Sequence, residues 1–134
     1  MTRQRSGAAS IQLPADASSA GEARRFVAQL LGSWQCDDEL VSSAALLTTE
    51  LVTNSVLHAG TPIEVTVALT GPDVRVRVEV SDEDDTLPTP RPYATDAMTG
   101  RGLRLVEAVA SRWGAEARAG SQPGKVVWFE LSPN

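Results

Sequence analysis

Apolar residues recur at helical spacing in the first part of the chain. A helix is expected to begin at a cap on Asp16 or Ser18 and to run to about Leu31, where Gly32 would end it. The residues of its apolar stripe are Ala23, Phe26, Val27, Leu30 and Leu31. The pattern therefore predicts an amphipathic helix with one face against a core.

Two further helices are predicted by the same spacing. The longer one begins near Asp37 or Asp38, whose carboxylates favour a helix N-terminus, and it continues to about His58 before Gly60 stops it. The other helix follows Gly102. Its apolar side carries Leu103, Val106, Val109 and Ala110.

Alternation of apolar and polar residues, which is typical of half-buried strands, follows the second helix. Residues 63–69 and 74–80 alternate in this way around a turn at 70–73, so they predict a hairpin with one buried face. A second hairpin is predicted from residues 113–119 and 125–131.

The order of these elements predicts the fold class. Ser10–Leu13 adds a short strand, and residues 1–9 are expected to form a disordered tail ahead of one domain over 10–134. We therefore predict an α+β two-layer sandwich with a mixed, mostly antiparallel sheet of about five strands and three helices on one face. The connection 81–99, rich in acids and prolines, is long enough to be a functional lid.

Composition narrows the classes of function. The chain has 134 residues, 42% of them hydrophobic, and a net charge of -5, which predicts a single acidic domain and argues against direct nucleic-acid binding. We expect no membrane segment and a cytoplasmic location, because neither a long apolar run nor a signal-peptide core is evident. The single cysteine, Cys36, cannot form an internal disulfide.

The second helix carries the most informative polar residues. With about 100° per residue, Asn54 lies about 40° and His58 about 80° from Glu50, on a face shared with Leu47 and Leu51. A carboxylate among apolar side chains needs compensation, and a nucleotide-borne Mg²⁺ would provide it. The alternatives are a surface or capping pair for Glu50 and Asn54, and a histidine held by the helix dipole for His58.

Asp82 could contact the same ligand. Asp82 directly follows the 74–80 strand, where its carboxylate could accept a hydrogen bond from an exocyclic amine such as that of adenine. Its acidic neighbours 83–85 are interpreted as a solvated run, because they lack the glycine and glutamate of an EF-hand.

The segment Thr99-Gly100-Arg101-Gly102-Leu103 opens the third helix. Its two glycines would let backbone amides approach a phosphate, and Arg101 could add a charge-assisted contact. The segment differs from the dinucleotide-binding fingerprint because residue 105 is leucine and a loop precedes it, so a flexible hinge is the alternative interpretation.

Taken together, these residues resemble the histidine-kinase-like (GHKL) ATPase fold shared by sensor histidine kinases, gyrase and mismatch-repair ATPases. The run Glu50-Leu51-Val52-Thr53-Asn54 and the short length are most similar to the anti-sigma-factor serine kinases. The resemblance covers roughly residues 10–132.

The resemblance implies a role for each candidate residue. It implies that Glu50 is the general base toward a serine hydroxyl and that Asn54 coordinates Mg²⁺ between the phosphates of ATP. It further implies that Asp82 binds the adenine amine and that Gly100, Arg101 and Gly102 meet the phosphates. Leu103 is expected to belong to the same ATP site, and His58, one turn beyond Asn54, could approach a phosphate.

The sequence also departs from this family. Relatives usually carry two glycines where this chain has Asp84 and Thr86, and Lys125 begins the segment that lacks a threonine common near the adenine site. These departures predict weaker adenine binding.

The leading hypothesis is a serine kinase of the anti-sigma-factor type that transfers the γ-phosphate of Mg-ATP to a small antagonist protein. Its expected partners are that antagonist or a sigma factor, and it could form a homodimer. The alternative is a non-catalytic module that sequesters a protein partner and has a degenerate nucleotide site.

Overall fold

The computed structural model describes residues 7–71, 75–84 and 97–133, and between 97 and 102 it describes only the backbone. The elements in chain order are β1 (Gly7–Leu13), α1 (Ser19–Ser33), α2 (Asp38–Asn54) with a π-helical continuation (Ser55–Ala59), β2 (Ile63–Thr70), β3 (Arg75–Asp82), α3 (Ala97–Val109), β4 (Arg112–Ala117) and β5 (Lys125–Leu131).

The strands form one sheet in the order β1-β2-β3-β5-β4. Each pairing in it is antiparallel, so the expected mixed sheet is an antiparallel one. Residues from α1, α2 and α3 join the inward-facing residues of the strands in a single core. This arrangement confirms the predicted α+β two-layer sandwich.

Alternation along the strands explains why one face of the sheet is covered. On β3, Val76, Val78 and Val80 are at most 2% exposed and face the helices. Burying a valine side chain contributes roughly 1.5–3 kcal/mol, so the alternation fixes which face meets the core.

The opposite face of the sheet carries an ionic cluster around Trp128. The Arg77 guanidinium lies 4.0 Å from the centre of the Trp128 ring and donates to Glu130 Oε2 at 2.9 Å. Burial opposes the charged form of Arg77, but its hydrogen bonds to Glu79 and Glu130 raise its pKa above the ordinary value. The cation therefore stays paired on this face.

Helix α2 is the central helix of the core. The Asp37 carboxylate caps it by accepting from the Leu40 amide at 2.8 Å, and Gly60, with φ of 65°, closes its far end. The stretch Asp38–Ala59 is long and apolar enough, by length and composition alone, to cross a membrane. Here, however, α2 packs as a core helix through Ala44, Leu47 and Val52, all fully buried.

Several boundaries differ from the predicted ones. β3 is Arg75–Asp82, so Asp82 is its last residue and does not follow it, and β4 is Arg112–Ala117. β1 begins at Gly7, because its small residues pair by backbone with Leu69, Ala68 and Val67 even though they show no apolar alternation. α1 continues past Gly32 to Ser33, and Gln35, with φ of 63°, takes the left-handed position instead. α3 begins at Ala97, so residues 100–102 lie inside its first turns and not before them.

Candidate functional site

The end of α2 brings several polar groups to one end of the sheet. Its last turn is π-helical, and the Gly60 amide donates to the Ser55 carbonyl at 3.1 Å, five residues back. A π turn advances fewer degrees per residue than an α turn, so the predicted helical face does not continue beyond Asn54. Asn54 is half-buried, whereas His58 is exposed.

Asp82 ends β3 on the side of the sheet that faces the helices, and it is 2% exposed. Its Oδ2 accepts a hydrogen bond from the Ser55 hydroxyl at 2.9 Å. Ser55 directly follows Asn54 in the chain, so this bond links the end of α2 to the end of β3. Asn54, the residue predicted to hold the metal, and Asp82, the residue predicted to bind adenine, therefore lie close together.

The other carboxylate oxygen of Asp82 forms an ion pair with Lys125. The two residues are cross-strand partners of β3 and β5, and Lys125 Nζ donates to Asp82 Oδ1 at 2.9 Å. The same oxygen accepts from the Asp84 amide at 3.0 Å, and Lys125 Nζ also reaches the Asp84 carbonyl at 3.3 Å. Only 10% of the Lys125 side chain and 1% of the Asp82 side chain are exposed.

A glycine allows β5 to begin this close to the end of β3. Gly124 has φ of 113°, and a Cβ placed on it would lie 1.9 Å from the Asp82 carbonyl oxygen and 2.7 Å from the Glu83 Cα. Any side chain here would push the strand ends apart. Gly124 therefore sets the approach of Lys125 to Asp82.

Asn54 is suited to hold a magnesium ion. Its Oδ1 is buried and has no hydrogen-bond partner among the described residues, an arrangement that costs about 1–3 kcal/mol unless a ligand supplies a partner. In the described part of the chain, no group of three or more His, Cys, Asp or Glu side chains could hold a metal ion. A magnesium ion here would thus depend on Asn54 and on the phosphates that carry it.

The end of the site around Asp82 does not accommodate adenine in this arrangement of side chains. Three donors, from Lys125, Ser55 and Asp84, already occupy a carboxylate that has about four lone-pair positions. Because the Asp82 side chain is almost fully buried, an adenine amine can reach it only if one of these donors moves.

The other predicted site residues are placed as follows. Glu50 is half-buried, one helical turn before Asn54. The backbone of Gly100–Gly102 is helical within α3, which packs against α2, while the side chain of Arg101 and residue Thr86 lie outside the described residues. The side chain of Leu103 is 1% exposed and belongs to the core, so only its backbone could serve a ligand.

Sequence reasoning missed Ser55. It noted Lys125 only as the start of a segment that lacks a threonine hydroxyl, and it did not predict a contact for the lysine itself. The signal for Ser55 was its hydroxyl directly after Asn54, on the helix that carries the other polar candidates. The signal for Lys125 was stronger, since it is the only lysine in the sequence. Its partner, however, depends on the register of β3 and β5, which lie far apart in the chain.

Comparisons with known proteins agree with this fold. An uncharacterized protein of Streptomyces coelicolor is 41% identical over 73 residues, which are 52% of this chain and 70% of the relative. The solved structure of the RsbU and RsbW domains of Rv1364c from Mycobacterium tuberculosis superimposes with a TM-score of 0.70 at 22% identity. That match covers 96% of this chain and 33% of the longer chain, so this chain spans about a third of it.

The family model of the histidine kinase-like ATPase domain matches residues 13–131. Its span runs from the end of β1 to the end of β5 and includes every candidate residue of the site. The chain therefore belongs to the histidine kinase-like ATPase domain family.

Proposed function

We propose that this chain is a regulatory protein of the anti-sigma-factor type that binds Mg-ATP and phosphorylates a serine of a small antagonist protein. The observation that carries the proposal is the buried Oδ1 of Asn54, which no described residue hydrogen-bonds, one helical turn beyond Glu50 and next to the Ser55–Asp82 bond. The run 50–54 and the family membership support ATP as the phosphate donor.

The proposed roles follow from what each group can do. When it is bound with the nucleotide, Mg²⁺ would neutralise charge on the phosphates. Asn54 would offer it a neutral oxygen, and the free amides of the first turn of α3 would face the phosphates. Glu50 would accept the proton of the seryl hydroxyl, whose oxygen bonds to the γ-phosphorus as ADP leaves.

A protein is the expected phosphate acceptor. Leu46 and Leu57, on the helix that carries Glu50 and its continuation, are 45% and 57% exposed. They would give a partner protein apolar contact points on both sides of Glu50. A sigma factor held by the same surface, a homodimer and a cytoplasmic location belong to the same proposal.

Calorimetric titration with a non-hydrolysable ATP analogue tests the nucleotide site. We expect binding that requires Mg²⁺ and that Asn54→Ala abolishes, because the variant removes the neutral oxygen ligand. Ser42→Ala, an exposed position on the same helix, serves as the control and should bind like the wild type. Equal binding by Asn54→Ala and the wild type would refute the metal role of Asn54.

Phosphate transfer to candidate antagonist proteins tests the role of Glu50 as general base. Glu50→Ala should lower the transfer rate by about 10²–10⁴-fold, the usual contribution of a general base, while the affinity for the analogue stays close to that of the wild type. Glu39→Ala removes an exposed carboxylate from the same helix and should leave transfer intact. If Glu50→Ala loses binding but keeps its turnover per bound nucleotide, the assignment of roles is wrong.

The second candidate function is a module that sequesters its partner without nucleotide. The Lys125–Asp82 ion pair specifically favours it, because this pair fills the hydrogen-bonding positions that the adenine amine would need. Under this function, the wild type would show no heat of binding with the analogue and would hold its partner equally well with and without ATP.

A further inference from the structure

We propose that Lys125 is a gate on the base pocket, by which we mean the space around Asp82 that would receive the adenine. Its ammonium occupies the hydrogen-bonding place of the adenine amine on Asp82 and must leave before a nucleotide enters. The inference rests on the proposed function for the binding of ATP, and on the predicted assignment of Asp82 to the adenine amine. It adds a regulatory step to that site and a residue that sets its affinity.

The closed position is defined by the contacts of the ammonium. Lys125 Nζ lies 2.9 Å from Asp82 Oδ1, and both side chains are nearly buried. A hydrogen bond between two charged groups is roughly twice as strong as one between neutral groups, so a neutral amine is the weaker donor to this carboxylate. Adenine therefore competes poorly while the ammonium stays in place.

Asp84 provides the open position. Its Oδ2 lies 4.0 Å from Lys125 Nζ, and its carbonyl already accepts from the same ammonium at 3.3 Å. The flexible four-carbon stem of lysine allows the ammonium to turn toward Asp84 without losing an anionic partner. Asp84 and Lys125 are two of the departures from the family pattern, and in this proposal they act together.

Removal of the ammonium should raise nucleotide affinity. In calorimetric titrations with the Mg-bound ATP analogue, we expect Lys125→Thr to bind about tenfold or more tightly than the wild type, because the charged competitor is gone. Arg24→Thr removes one positive charge equally, at an exposed position of α1 that is not among the contacts of Asp82, so it controls for long-range electrostatics. Asp84→Asn should weaken binding in the wild type and have no effect together with Lys125→Thr.

Folding of the variants is checked by circular dichroism and by a cooperative thermal transition. If Lys125→Thr does not fold with Asp82 unpaired, Lys125→Met, which keeps most of the side-chain volume, replaces it. A folded variant that binds no tighter than the wild type would overturn the gate.

A second measurement uses the wild type alone. Because Lys125 is the only lysine in the sequence, ¹⁵N-lysine labelling gives a single side-chain Nζ signal in NMR spectra. We expect this signal to shift with saturation as the analogue is added. Heat of binding without any shift would refute displacement of the ammonium.

The two proposals fail in different ways. Wild-type binding that Lys125→Thr does not improve removes the gate and keeps the nucleotide site. Tight binding by Lys125→Thr without phosphate transfer keeps the gate and removes the kinase.

Discussion

At the scale of single residues, the site depends on backbone positions that exclude a side chain. Gly124 combines a positive φ with a place where an added Cβ would overlap the Asp82 carbonyl oxygen, whereas at Gly120, with φ of 72°, an added Cβ would have no atom of the described residues within 4 Å. The two glycines therefore separate backbone strain from steric overlap.

We expect Gly124→Ala to lower the free energy of unfolding by at least about 3 kcal/mol, because overlap with Asp82 adds to the strain. Gly120→Ala should lower it by about 1–2 kcal/mol, the usual cost of a left-handed non-glycine residue. Urea denaturation of both variants measures the difference. Equal losses would mean that the ends of β3 and β5 separate freely.

Single residues also show where sequence reasoning stops. The places of Asp82 at the end of a strand and of Asn54 on a helix were predictable, because alternation and helical spacing are local patterns. Their roles toward a nucleotide stay predictions. The ion pair with Lys125 was not predictable, because it depends on which strands become neighbours and in which register.

At the scale of elements, α2 determines the geometry of the site. Its start at the Asp37 cap and its stop at Gly60 were both predicted, since cap residues and left-handed glycines are local signals. The π turn over Ser55–Ala59 was not, because local spacing does not distinguish bonds to the fifth residue from bonds to the fourth. The bond of Ser55 to Asp82 comes from the tertiary structure.

The cap gives a direct test of this element. Asp37→Ala should destabilise the protein by about 1 kcal/mol, because the Leu40 amide loses its acceptor. Asp38→Ala removes the same charge from the first turn and keeps the cap, so its loss of stability, measured by thermal denaturation, should be smaller. Equal losses would indicate that Asp37 acts through its charge alone.

At the scale of the whole molecule, the sequence predicted the layers and the element order but not the strand order. Alternation shows which face of a strand is buried, and the hairpin β2–β3 follows from its short turn. The position of β5 between β3 and β4 requires a long-range pairing that no local pattern encodes. The closure of the base pocket follows from that same pairing.

The place of β5 in the sheet also sets the order of assembly during synthesis. β5 is the last of the described strands to emerge, yet it supplies the hydrogen-bonded neighbours of both β3 and β4. On a ribosome that adds about 5–20 residues per second, β3 therefore lacks its second neighbour, and the Asp82 carboxylate lacks its lysine, until β5 has emerged. A nascent chain stalled before β5 would expose the edge of β3 that β5 covers in the folded protein, and an open strand edge can pair with other chains.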